Sequence, residues 1–170
     1  MGYVHDTQMS HFIYPWEIYK NQGTWTLTVT ANVVADVRTA NDNSFTLFAP
    51  IRIPSNGSSL KGAYLKSIDV YYKIGTTLAD DFATVELEKQ ILPALTASAP
   101  TGAAVTITCD TGHDSAAERK AVDSHKMTVT LTTPVWVDDD DYYTLIMIVD
   151  AHANTVFTLY GVRANFTFRL

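Results

Sequence analysis

The sequence predicts an all-β protein, a jelly-roll sandwich of about eight antiparallel strands in one domain. Three observations predict it. First, short stretches alternate apolar residues with threonine: Thr24-Trp25-Thr26-Leu27-Thr28-Val29-Thr30, Val105-Thr106-Ile107-Thr108-Cys109 and Met127-Thr128-Val129-Thr130-Leu131-Thr132. A period of two with β-branched residues puts one face on a core and a hydroxyl-bearing face outward. Second, strand-like runs recur at short intervals with turn signals between them, the mark of a sandwich or barrel. Third, eight such runs in 170 residues fit two four-stranded sheets with Greek-key connections. An immunoglobulin-like sandwich is the alternative, but it usually needs only about 100 residues.

The elements follow in order. Residues 1–23 form an aromatic-rich, irregular arm in which Phe12, Tyr14, Trp16 and Tyr19 crowd around Pro15. So apolar a segment must pack, on its own domain or on a neighbouring subunit. Residues 24–34 read as one long strand with Trp25, Leu27, Val29, Ala31 and Val33 on one side. A turn over 39–44 is rich in residues that tolerate left-handed backbone. The second strand, 45–53, ends between Pro50 and Pro54, which favours an edge or a terminus. After the loop at 55–59, the third strand runs over 64–74 with Ile68, Val70, Tyr72 and Ile74 inward. The fourth, 82–91, alternates Val85, Leu87, Lys89 and Ile91 with Glu86, Glu88 and Gln90.

Residues 93–102 form a loop and 104–109 a fifth strand. Ser115 with Glu118 three residues on matches a capping box, so 110–123 holds the one helix candidate, about two turns long. Strands follow at 127–133 and 142–150. The run Leu145-Ile146-Met147-Ile148-Val149 is apolar on both faces and predicts a central strand covered on both sides. The last strand spans 155–169, with Gly161 as a bulge or bend.

Composition narrows the role. Hydrophobic residues make up 46% and charged residues 18%, against about 25% charged in typical domains. A core is affordable, and the thin charge suggests that part of the surface meets another subunit. Net charge is −6 and the 12 Lys and Arg are scattered, which argues against nucleic acid and anionic lipid as partners. The N-terminal residues lack the basic and apolar regions of a signal peptide, and no apolar run is long enough for a transmembrane helix. The single cysteine, Cys109, sits at an inward position and reads as a small buried hydrophobe.

No constellation carries a specific chemistry. Asp138, Asp139, Asp140 and Asp141 could offer oxygens to calcium, but the consecutive spacing, without a Gly or distal Glu, better suits a solvated turn. Cys109, Asp110, His113, Asp114 and His125 invite a zinc reading without a zinc-finger spacing; a core cysteine beside a polar loop fits better. Nucleophile elbow and phosphate loop are absent, and Glu86 and Glu88 face solvent together. The expectation is a protein that is not an enzyme and carries no cofactor. Asn56-Gly57-Ser58 and Asn165-Phe166-Thr167 match the glycosylation sequon, as chance allows in a Thr-rich chain. Among the aromatics, Trp25 and Tyr72 point inward, whereas Tyr71 and Tyr142 lie on the opposite register. Exposed Tyr suits a subunit interface, so Phe12, Tyr14, Trp16, Tyr19, Tyr71 and Tyr142 are the interface candidates. A sugar-stacking platform would pair such rings with a groove of polar partners.

Three segments, Lys66-Ser67-Ile68-Asp69-Val70-Tyr71-Tyr72, Asp110-Thr111-Gly112-His113-Asp114-Ser115-Ala116-Ala117-Glu118-Arg119 and His125-Lys126-Met127-Thr128-Val129-Thr130-Leu131-Thr132-Thr133-Pro134, carry a resemblance. The chain from about Gly62 to Phe168 resembles β-rich proteins encoded by phages and phage-like contigs. The resemblance implies a virion structural module: a capsid decoration, head fibre or tail appendage, made in the host cytoplasm, homotrimeric, and in contact with other virion proteins. The competing expectation is a carbohydrate-binding sandwich, with a glycan as partner and calcium at the Asp138 to Asp141 turn.

Overall fold

The computed structural model describes residues 6–52, 63–91, 99–137 and 141–169. Its strands are β1 (Asp6–Ile13), β2 (Tyr19–Lys20), β3 (Trp25–Thr30), β4 (Val33–Arg38), β5 (Asn43–Ile51), β6 (Ala63–Gly75), β7 (Asp81–Ile91), β8 (Thr101–Val105), β9 (Ile107–Cys109), β10 (Asp123–Val137), β11 (Asp141–Ala151) and β12 (Val156–Arg169). A 3₁₀ turn (Pro15–Glu17) and one helix, α1 (Ala116–Arg119), complete the list.

Two antiparallel sheets face each other. One has seven strands in the order β3-β4-β12-β6-β10-β9, with β1 also on β12; the other has five in the order β2-β5-β11-β7-β8. Eight of these form the sandwich the sequence predicts: β4-β12-β6-β10 against β5-β11-β7-β8. The chain crosses between sheets at β4 to β5, β5 to β6, β6 to β7, and again through β10, β11 and β12. That is jelly-roll winding.

Period two fills the core. Phe45, Leu47, Ala49 and Ile51 of β5 and Leu145, Met147 and Val149 of β11 are buried. They oppose Ile68, Val70, Tyr72 and Ile74 of β6 and Leu159, Val162, Ala164 and Phe166 of β12. Tyr72 lies flat between His125 and Phe157, at ring separations of 4.6 and 5.4 Å. Its hydroxyl donates to the Arg119 carbonyl at 2.8 Å, which satisfies a buried polar group.

The structure corrects several expectations. The arm is not irregular: β1 pairs with β12 over eight residues, from Asp6 against Arg169 to Ile13 against Val162. Backbone pairing there overrides a sequence without clean alternation. The strand expected over 24–34 is a hairpin. Ala31 and Asn32 both take left-handed backbone, with φ of 49° and 67°, which turns β3 into β4 in two residues. The fifth strand changes sheets at Thr106: Val105 pairs with Leu87 and Ile107 with Leu131. The capping box forms, with Ser115 Oγ accepting from Glu118 N, but the helix is one turn. β11 is central, yet its outer face is only partly covered: Ile146 is half-buried and Ile148 is 39% exposed.

Gly161 is the bulge expected. The pairing of β12 with β6 shifts register between Leu159 and Gly161, and Gly161 has φ of 134°. A Cβ there would meet the Ile13 carbonyl oxygen at 2.8 Å and the Phe12 ring at 2.9 Å. Glycine lets β1 and its aromatic side chains close onto β12.

Candidate functional site

The end of β1 and the turn after it sort side chains by direction. Ile13, Pro15 and Ile18 are buried; Phe12, Tyr14 and Trp16 point out and are 39%, 47% and 52% exposed. The turn is held twice. The Glu17 carboxylate accepts from Tyr14 N at 2.9 Å, and Lys20 Nζ donates to the carbonyls of Pro15 and Ile18 at 2.6 and 3.0 Å. Lys20 also reaches Asp36 at 2.7 Å, so the turn is tied to β4.

The exposed rings form one cluster. Tyr14 and Trp16 are parallel within 4° at 4.5 Å. Phe12 meets Tyr14 edge-on at 5.3 Å and lies 6.4 Å from Tyr71. Arg163 sits over the Tyr71 ring at 5.8 Å. Phe12, Tyr14 and Tyr71 line an open groove of about 640 Å³, together with, among others, Asn32 and Val33 at the hairpin tip, Ser124, Lys126 and Tyr160. A second hollow of about 800 Å³ continues it over Thr28, Thr30 and Lys73, sharing Val33, Ser124 and Tyr160. The groove offers flat aromatic faces beside hydroxyl, amide and ammonium groups.

Of the six interface candidates, Phe12, Tyr14, Trp16 and Tyr71 come together here. Tyr19 and Tyr142 do not. They lie on the outer face of the five-stranded sheet, Tyr19 beside Phe48 at 5.9 Å and Tyr142 with its hydroxyl donating to Gln90. Sequence reasoning missed Asn32, Val33, Lys126 and Tyr160 as groove residues. The Ala31-Asn32 turn was the signal that could have placed the first two.

The loop that invited a zinc reading is a structural clamp. Asp110 accepts from the backbone N–H groups of Gly112 and Thr128 and from His113 Nδ1. Burial alone would raise its carboxyl, but these donors, Thr128 N and His113 foremost, hold it below the ordinary carboxylate range. His113 Nε2 lies 3.1 Å from His125 Nδ1, and the Ala121 carbonyl accepts from His125 Nε2 at 2.9 Å. Cys109 packs 4.0 Å from the Met127 sulfur, and burial pushes its thiol up, away from a reactive thiolate. Among the described residues no group of three or more His, Cys, Asp or Glu is arranged for a metal.

Asp138, Asp139 and Asp140 lie outside the described residues. Asp141 opens β11 with its carboxylate 2.5 Å from Lys89 Nζ. The sequon at Asn56 also lies outside them. That at Asn165 has its amide donating to Ser67 and Asp69 at 3.2 Å each.

Asp69 anchors the outer face of the seven-stranded sheet at 3% exposure. It accepts from Arg163 Nε and Nη2 at 3.0 and 2.6 Å and from Thr128 Oγ1 at 2.8 Å. Burial would raise its carboxyl, but hydrogen bonds from Arg163, Thr128 and Asn165 and the charge of Lys126 hold it low. A depressed folded value contributes stability above the unfolded value, about 3.9, and that stability is lost as pH falls through the folded value. Urea midpoints at pH 6 and pH 3 are therefore expected to differ more in the wild type than in Asp69→Asn. Equal pH sensitivity would show that Asp69 carries none of the acid limb.

The fold and the site define a jelly-roll sandwich that presents an aromatic groove on its seven-stranded sheet. No protein-family model matches the chain, and no curated protein does. Among solved structures it is similar to the carbohydrate-binding module TmCBM61 in complex with β-1,4-galactotriose. The identity is 10%, the TM-score 0.34, and the likeness covers 96% of this chain and 88% of that one.

Proposed function

We propose that this chain is a non-catalytic structural module of virion type that works by associating with copies of itself. One observation carries the reading. Leu27 and Val29 occupy the inner register of β3, where the same period buries side chains elsewhere, yet they are 53% and 70% exposed. Ile148 at 39% on the opposite sheet adds to the uncovered apolar surface. A lone domain gains nothing by leaving such positions to water. The three segments that resemble phage proteins support the virion setting. They meet in the fold, as β6, β10 and the loop with α1. Self-association links stability to mass action, so the thermal midpoint is expected to rise with protein concentration across a hundredfold range. A midpoint independent of concentration would count against assembly.

A second reading, a carbohydrate-binding sandwich, is favoured by the groove. Phe12, Tyr14 and Tyr71 offer apolar ring surface in the groove, and Asn32, Ser124 and Lys126 offer hydrogen-bonding groups beside them. That is the pairing a sugar site needs. Oligosaccharides should then bind in isothermal titration calorimetry, and the binding should vanish in Tyr71→Ala. No binding of any glycan would remove this reading and leave the first intact.

A further inference from the structure

The free edge of β3 is the feature the fold leaves unexplained. β3 is the terminal strand of the seven-stranded sheet, bonded to β4 from Trp25 against Arg38 to Thr30 against Val33. Among the described residues, nothing pairs with its other edge. An open edge presents unpaired N–H and C=O groups, and proteins usually guard it with charge, proline or brevity. Three other edges are guarded. β2 and β9 span two and three residues, and Pro100 stands directly before the five-residue β8. β3 has no such protection: residues 21–35 hold neither a charge nor a proline.

We infer that β3 is a seam at which two copies of this chain pair antiparallel about a two-fold axis through Leu27. The inference rests on the self-association proposed above and names its surface. The sequence Trp25-Thr26-Leu27-Thr28-Val29 is self-complementary in that register. Leu27 falls opposite its own copy, Trp25 opposite Val29, and Thr26 opposite Thr28. Apolar meets apolar on the inner face, and threonine meets threonine on the outer face, the cross-strand pairs that stabilise a ladder. No like charges meet. The pairing is isologous and closes on itself, so it does not propagate into a fibre. It merges two seven-stranded sheets into one continuous sheet and sets two aromatic grooves on the same assembly.

A two-fold seam requires an even number of copies, whereas the resemblance implies trimers. Two single-cysteine variants in a Cys109→Ala background test it. Leu27→Cys is expected to give a disulfide-linked dimer on mild oxidation. Thr30→Cys is not, because that register separates the two Thr30 positions by six residues, about 20 Å. Leu27→Lys, which sets two ammonium groups face to face, is expected to halve the solution mass without changing the circular dichroism. Absence of the Leu27→Cys dimer, equal cross-linking at both positions, or a trimeric mass would each overturn the seam while leaving self-association standing. A wild-type monomer at every concentration would overturn both.

Discussion

Arg119→Met is expected to lower the unfolding free energy by about 3–4 kcal/mol, the sum a buried, multiply bonded cation commands when removed. Arg119 is 7% exposed although it sits in a one-turn helix. Its Nε donates to the Phe82 carbonyl at 2.8 Å and Nη2 to that of Ala83 at 3.1 Å. Nη1 donates to the carbonyls of His113 and Asp114 at 2.8 and 3.2 Å. One guanidinium thus ties the loop before α1 to β7 in the other sheet. Methionine fills much of the volume but leaves these carbonyls without a donor. Arg119→Lys keeps the charge and supplies a point donor in place of a planar fork, so its loss should be smaller. Urea unfolding of the three proteins checks the ranking. If Arg119→Met unfolds at the wild-type midpoint, the loop is not held in this way.

Gly161→Val should cost about 3 kcal/mol and should act on the groove as well as on the fold. Two effects add. A β-branched residue is strained at φ of 134°, a backbone region open in practice to glycine. Its Cβ would also lie 2.8 Å from the Ile13 carbonyl oxygen and 2.9 Å from the Phe12 ring, so β1 must withdraw. Withdrawal separates Phe12 from Tyr71 and shifts the Tyr14 and Trp16 pair. The measurement is urea unfolding together with Trp fluorescence of the folded state. A destabilised protein with unchanged emission would mean that the aromatic cluster does not depend on the bulge.

How far the sequence reaches is clear from particular residues. The pattern of β5, β6, β11 and β12 was legible because each buries alternate residues, and Gly161 was legible as a bulge because glycine is costly in a strand without such a reason. The β3 and β4 hairpin was not, because alanine at φ of 49° is a poor turn signal and apolar alternation runs through it unbroken. β1 was not, because its strand character comes from β12 and not from its own residues. Periodicity assigned Leu27 and Val29 to an inner face correctly. Only the fold shows that they stay exposed, with no strand among the described residues covering them. The groove was half legible: Phe12, Tyr14, Trp16 and Tyr71 were chosen as exposed aromatics, but the turn that seats the first three and the bulge that brings them to Tyr71 are long-range features. Tyr19 and Tyr142 met the same criteria and lie on the other sheet, since sequence gives the side of a strand and not the sheet it joins.

The central claim is that this chain covers its exposed apolar strand with a second copy of itself. The most direct measurement is the solution mass by light scattering behind size exclusion, with EDTA and calcium arms. A mass that is an even multiple of the 18.8 kDa chain, unchanged by calcium, is the expected result. A stable monomer of that mass, retained at high concentration, would contradict it.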